Sequence, residues 1–466
     1  MHLWIYWWNA IWLLRPGCTH LRTFLWFASC VAGLTVRTDL LGVTSIVRAL
    51  GLHERFYDNL LDHFHSTGVL LDELSALWAQ VVLRLFPDPL RVNGRLVLVG
   101  DGIKVPKSGK KMPAVKLLHQ ESESNTKPHY IMGHSLQAVS VLVQAAESVF
   151  AVPLATRIHE GLVWSNRDTR TLLDKMLALL KIVEIRQPFY FVADAYYASQ
   201  KIITGLLDQD HHLVTRVRSN AVAYTQYDHQ GAKKRGRPRR YGKKIVLKSL
   251  FTEGQAMKQT VSPVYGEKNV TLQYRVCDLL WRPVGRLVRF VVVIHPTRGR
   301  CLLMSTDTSL CAMEIIRLYG LRFKIEHGFK QAVRVIGSFS YHFWMKEMKP
   351  LRRRNGNQYL HRESSDYRDA VKRKINAYHV FIHAGVVSQG LLQYLAANVP
   401  TLVWDPRLLG GDQVRQHLRP AGSLAHLLPA LLLRKEEHQR EHRQDREPSQ
   451  QDGPAANAAK PHAASP

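Results

Sequence analysis

Tyr319-Gly-Leu-Arg322-Phe-Lys-Ile-Glu326-His-Gly-Phe-Lys330 places four polar side chains at i, i+3, i+7 and i+11: Tyr319, Arg322, Glu326 and Lys330. At about 3.6 residues per turn these share one helix face. Beside it, Leu318, Leu321, Ile325, Phe329 and Ala332 form an apolar stripe. The spacing therefore predicts a helix from about residue 312 that buries the stripe and carries the polar face at its flank. One carboxylate among a tyrosine and two cations makes a poor core face. It suits a cation held beside a phosphate, and that reading requires more carboxylates elsewhere in the chain.

Upstream, Leu96-Val-Leu-Val-Gly100 is a continuous apolar run, as a strand buried on both faces requires, and it ends at Asp101. A lysine-rich loop carrying Lys104, Lys107, Lys110, Lys111 and Lys116 is expected next. His134 to Val143 and Val149 to Ile158 read as second and third strands. Leu172, Leu173, Met176, Leu179, Leu180 and Val183 have helical spacing within 169–185. Phe189-Tyr-Phe-Val-Ala193 is another buried strand, ending at Asp194. A helix over 197–207 and a strand over 212–218 follow. Three strands, helix, strand, helix, strand, with acids closing the first and fourth strands, is the layout of a ribonuclease H-like α/β core.

Four segments are expected around this pattern. Residues 1–88 form an all-α N-terminal domain, and 89–345 hold the α/β core. Within the core, about 219–305 is an inserted β subdomain with a basic loop over 227–244. Residues 346–433 are a helical C-terminal region. The tail 434–466 mixes charges with Gln, Ala, Pro and Ser and is expected to be disordered. Within the N-terminal part, Thr44 to Phe64 reads as helix, Gly51 turn, helix. This is either a DNA-reading helix-turn-helix or two packed helices.

The 466-residue chain is 46% hydrophobic, ordinary for a globular protein, but 64 Lys+Arg against 37 Asp+Glu give a net charge of +27. That excess points to a polyanionic partner, with nucleic acid ahead of a membrane surface. The five cysteines include no CxxC pair, which argues against a zinc ribbon and a disulfide framework and fits a reducing cytoplasm. His379 and His383 lie at i, i+4, but the intervening residues lack the Glu of a zinc helix, so they read as ordinary helix residues. The tryptophan-rich run Leu3 to Leu14 and the apolar run Phe24 to Val36 fall short of the about 20 residues a membrane span needs. They read as buried helices, with no membrane partner.

Asp101, Asp194 and Glu326 are thus the candidate catalytic and metal-ligating residues. Clustered carboxylates repel one another unless a cation is present, and hard divalent ions such as Mg²⁺ or Mn²⁺ take oxygen ligands. Two such ions about 3.5–4 Å apart serve in-line phosphoryl displacement.

Asp101 after an apolar strand, Asp194-Ala-Tyr-Tyr197, and Tyr319-x2-Arg322-x3-Glu326 together resemble bacterial insertion-sequence transposases of the Asp-Asp-Glu (DDE) class. Within that class they resemble the group marked by Tyr-x2-Arg-x3-Glu-x6-Lys with a β insertion before the Glu. The 132-residue separation of Asp194 and Glu326 has room for such an insertion. The resemblance implies a DNA transposase that binds metal through Asp101, Asp194 and Glu326, cleaves at transposon ends, and joins the freed 3′-OH to target DNA. It further implies a homodimer on paired ends, in the bacterial cytoplasm. Alternatives are a catalytically silent DNA-binding descendant and a nuclease without strand transfer. The closing lysine of the signature is replaced by Val333, with Lys330 and Arg334 as nearby cations.

By the same resemblance, Tyr319 and Arg322 position phosphates. Independently of it, Arg forks to phosphate oxygens and Tyr hydrogen-bonds or stacks. A packed aromatic is the plain alternative for Tyr319. Lys104 and Lys107 either touch DNA or belong to a solvated loop. Arg235 and Arg237, within Arg-Gly-Arg-Pro, either enter a minor groove or grip backbone. Trp281 either packs within a strand or stacks on a flipped base.

Overall fold

The computed structural model describes residues 3–120, 128–145, 148–228, 239–252, 256–264, 266–352 and 354–399. Five helices come first: α1 (Leu3–Trp12), α2 (Leu21–Val36), α3 (Val43–Ala49), α4 (Phe56–His65) and α5 (Leu71–Leu85). The tryptophan-rich run is α1, and it buries Leu3, Trp7, Ala10 and Ile11 at helical spacing. The tail expected to be disordered lies outside the described residues.

Five strands build the centre of the sheet: β1 (Arg95–Pro106), β2 (Tyr130–Ala145), β3 (Ser148–Ile158), β4 (Phe189–Ala193) and β5 (His212–Arg216). β1–β2 and β2–β3 pair antiparallel, while β1–β4 and β4–β5 pair parallel. The spatial order is β3-β2-β1-β4-β5. Parallel neighbours need long crossovers, and here α6 (Leu172–Val183) and α7 (Gln200–Leu207) lie in the connections. A Thr171–Asp174 capping box starts α6.

Further strands follow: β6 (Val222–Gln226), β7 (Tyr241–Val246), β8 (Thr271–Trp281), β9 (Arg286–His295) and β10 (Gly299–Ser305). β10 pairs with β5, with Leu303 opposite Arg216 and Ser305 opposite Val214. The β-rich insertion therefore extends the core sheet, giving one mixed sheet of thirteen described strands.

β1 also runs past the expected end at Asp101. Its pairing with β2 continues from Asp101 opposite Ala138 to Pro106 opposite Gly133. Beyond Gly100 its burial changes from continuous to alternating, so the apolar run ends before the strand does.

Side chains alternate between the two faces of the sheet. Leu96, Leu98, Phe189 and Phe191 join a core cluster shared with the N-terminal helices, α6, α7 and α10 (Ser365–Asn398). Val97, Val99, Tyr190, Val192 and Val214 join a second cluster with Ile315, Leu318, Leu321 and Ile325 of α8 (Ala312–Leu321) and α9 (Lys324–Gln331). α10 is long and apolar enough to cross a membrane, but 72% of its apolar window is buried inside the protein. His379 Nε2 accepts the Ile158 N–H at 3.0 Å and His383 is fully buried, so both serve the core. The five cysteines are free.

Candidate active site

The register of β1 and β4 places the two aspartates. Leu96 pairs with Phe189 and Val99 with Val192. Continued two residues, that register sets Asp101 opposite Asp194. By alternation both belong to the face of Val99 and Val192, which α8 and α9 cover. The carboxylates therefore meet the helix pair predicted to carry the polar face.

That pair is not one regular helix. Between Leu321 and Lys324 the chain tightens: the Arg322 N–H donates to Tyr319 O at 3.2 Å and the Ile325 N–H to Arg322 O at 3.1 Å. These are i→i+3 bonds, as in a 3₁₀ turn. At this turn Arg322 Nη1 donates to Asp101 Oδ2 and Nη2 to Glu326 Oε1, both at 2.7 Å. One guanidinium thus bridges a mid-strand aspartate and a helical glutamate 225 positions apart.

Asp194 accepts the Tyr196 N–H at 3.0 Å, and its backbone carbonyl accepts Thr215 Oγ1 at 2.7 Å, tying it to β5. Burial pushes the Asp101 carboxyl up to about 6. The Arg322 charge and the Gly102 N–H oppose the shift, and the carboxylates of Asp194 and Glu326 add to it. All three acids line one cleft of about 790 Å³, with Lys104, Lys116 and Tyr196 also on its walls.

The model of a family described as "DDE superfamily endonuclease" matches residues 20–275. The chain belongs to that family. The match contains Asp101 and Asp194 and stops before Glu326, so the third carboxylate of this DDE endonuclease rests on the geometry above. No curated protein matches the sequence. One similar solved structure is a piggyBac transposase synaptic complex with hairpin DNA, at 10% identity and TM-score 0.35, covering 93% of this chain and 79% of that one. Another is the NurA nuclease from Sulfolobus solfataricus, at 10% identity and TM-score 0.23, covering 60% of this chain and 92% of that one. At these scores neither neighbour assigns a fold or an activity to this DDE endonuclease.

The remaining candidates fall in different places. Tyr319 is partly buried, with the Arg322 guanidinium 5.9 Å from its ring centroid. Lys330, Arg334 and Val333 are exposed beyond Glu326, Val333 by 39%. Lys104 is exposed on β1 at the cleft wall and donates to His119 O at 2.6 Å.

Lys107, expected on a loop that either touches DNA or is solvated, is instead buried. Its amine donates to Phe339 O and Tyr341 O and sits 3.9 Å from the Tyr341 ring centroid. Burial lowers its pKa to about 7. Trp281 is 6% exposed and belongs to the main core cluster, so its ring packs and presents no face to a flipped base. Arg235 and Arg237 lie outside the described residues. In the helix-turn-helix candidate, Phe64 of α4 packs on Phe343 and Phe381, and the helix carries Asp58 and Asp62 but no lysine or arginine. That charge opposes a role in reading DNA.

Tyr196 and Lys116 are cleft residues beyond the sequence candidates. Adjacency to Asp194 signals the first; the second becomes visible only when the short strand Lys116–His119 pairs with β2.

Proposed function

We propose that this DDE endonuclease is a DNA transposase, in which Asp101, Asp194 and Glu326 form the catalytic centre for strand cleavage and 3′-OH transfer. The observation that carries the reading is Arg322 held between Asp101 and Glu326, beside an Asp194 in register with Asp101. The order β3-β2-β1-β4-β5, with a meander followed by two parallel crossovers, supports a ribonuclease H-like core. The net charge of +27 supports DNA as the partner.

The donor set fits hard divalent ions. It is all oxygen and negatively charged, and Asp101 is desolvated and crowded enough by the other acids to titrate near 6. Among the described residues no three such groups already converge on one metal position, and Arg322 stands between two of them. Asp101, Asp194 and Glu326 would hold Mg²⁺ or Mn²⁺, two ions per site, which would supply Lewis-acid activation for phosphoryl transfer.

The protein's own groups do the rest. Arg322, released from the carboxylates, forks to a phosphate oxygen, and Tyr319 supports its guanidinium. Lys104, Lys330 and Arg334 line the approach of the backbone. Synapsis of two ends calls for a homodimer, and the site of action is the bacterial cytoplasm at the nucleoid.

The test incubates the protein with Mn²⁺ or Mg²⁺ and a duplex carrying its own element's terminal repeats. Strand-joined products that disappear in Asp194→Ala are expected. Cleavage without joining would indicate a nuclease, and specific binding without cleavage a silent descendant.

A further inference from the structure

A second concavity, of about 460 Å³, adjoins the catalytic cleft. Ala195 lines it, while the flanking Asp194 and Tyr196 line the cleft, so consecutive residues of one segment face the two hollows. Four cations surround it: Arg216 at the end of β5, Arg218 in the turn that follows, Lys248 from the short helix Leu247–Phe251, and Arg300 from β10. Among the described residues, no acidic one lines it. All four cations are exposed, and among the described residues none of them forms an ion pair.

Four like charges gathered on one hollow repel one another, and an arriving polyanion relieves that repulsion. The hollow is also fixed relative to the carboxylates. Thr215, next to Arg216, donates to the Asp194 carbonyl. Val217, between Arg216 and Arg218, donates its N–H to Leu302 O on β10 at 2.8 Å. Arg300 is steadied 5.7 Å from the Phe251 ring centroid. Ala195, the residue after Asp194, is where the cleft and these cations come nearest along the chain.

From this we infer that the hollow is a phosphodiester-binding track for the DNA strand that continues past the scissile phosphate. The inference rests on the DNA reading above. Its ligand is the backbone, so it is indifferent to base sequence.

The triple variant Arg218→Gln, Lys248→Gln, Arg300→Gln tests it. Arg216 is left in place because its charge reaches Tyr319. Binding is read by fluorescence anisotropy in EDTA, so that cleavage plays no part. The DNA is a terminal-repeat duplex that either ends flush at the cleavage position or carries an about 8-nucleotide single-stranded flank.

Each lost phosphate contact lowers the slope of log K against log salt by about 0.7–0.9. The variant is therefore expected to lose about 2 to 3 in slope and at least about tenfold in affinity on the flanked DNA, with little change on the flush DNA. The control triple Arg22→Gln, Arg84→Gln, Lys181→Gln removes equal charge from residues that line neither hollow and is expected to keep the wild-type slope. A wild-type slope in the test variant, or an equal loss in the control, overturns the track. If wild type neither cleaves nor joins DNA but the test variant still loses its slope, the transposase reading fails and the track stands. Melting temperatures equal to wild type confirm that both triples are folded.

Discussion

Two hydrogen bonds of 2.7 Å hold the Arg322 guanidinium against Asp101 and Glu326 at the same time. Hydrogen bonds to charged groups are worth about 1.5–3 kcal/mol each, so a cation entering between these acids competes with the arginine. Arg322→Ala is expected to bind Mn²⁺ at least about tenfold more tightly at pH 8, a gain of about 1.4 kcal/mol, as read by electron paramagnetic resonance of free Mn²⁺. Equal or weaker binding would show that the guanidinium does not compete.

Asp101 itself titrates near 6 instead of 3.8. Between those values the folded protein holds a proton that the unfolded chain has released, so this group costs stability as pH rises through the window. Asp101→Asn is expected to exceed wild type by about 1–3 kcal/mol above pH 6, with the gap closing towards pH 4 in chemical denaturation. Lys107 shows the opposite ordering. Its pKa falls from 10.5 to about 7, so between these values the unfolded chain holds the extra proton and stability rises with pH. Wild type is expected to gain on Lys107→Met by about 1–3 kcal/mol from pH 7 to pH 10, while the salt slope of DNA binding stays unchanged. A reduced slope would return Lys107 to the DNA surface.

Among the elements, the junction of β1 and β4 decides whether the acids meet. A Cβ on Gly100 would lie 2.3 Å from Phe191 Cζ and 2.4 Å from Cε2, against a ring on the neighbouring strand. Gly100→Ala is expected to cost about 1–3 kcal/mol through overpacking and to reduce cleavage further still, because Asp101 is the next residue. Full activity at a temperature where the variant is folded would show that the register tolerates the shift.

The strand runs at 96–100 and 189–193 were legible because both faces of those strands are buried, and burial on both faces leaves an unbroken apolar run. The extension of β1 to Pro106 was not, since an alternating half-exposed strand carrying Lys104 reads like a loop. The apolar stripe and polar flank of the 312–331 segment were legible from periodicity. The 3₁₀ turn at Arg322 was not, because its one signal, Gly320, is a lone glycine of the kind a continuous helix tolerates. The pairing of β10 with β5 joins residues about ninety positions apart, and local pattern carries no trace of it. Lys107 was misplaced for a related reason: a lysine is read as surface until the carbonyls that receive its amine, 232 and 234 positions away, are known.

At the scale of the whole molecule, the helix bearing Glu326 is held by the two extremes of the described chain. Arg37, fully buried, donates to Ile336 O at 2.7 Å and Gly337 O at 2.9 Å just beyond α9, and also to Gly42 O and Ser45. From the other side, Gln389 of α10 donates to Gly328 O at 3.1 Å. Trp78 of α5 donates its indole N–H to Pro153 O on β3 at 2.9 Å, and one hydrophobic cluster runs from α1 through the sheet to α10. A cut at residue 88 therefore divides packing that is continuous. It would strip α10 and β3 of apolar partners and leave the buried carbonyls that receive Arg37 unpaired, each at about 1–3 kcal/mol. Those losses together rival the about 5–15 kcal/mol that holds a typical domain folded. A fragment beginning at residue 89 is expected to lack a cooperative thermal transition and dispersed amide resonances, and to recover both when co-expressed with residues 1–88. The intact protein should melt in one step. A fragment that melts cooperatively near the full-length temperature would instead place the stability in the sheet and α10 alone, and would make the N-terminal helices an appendage to the site, not part of its frame.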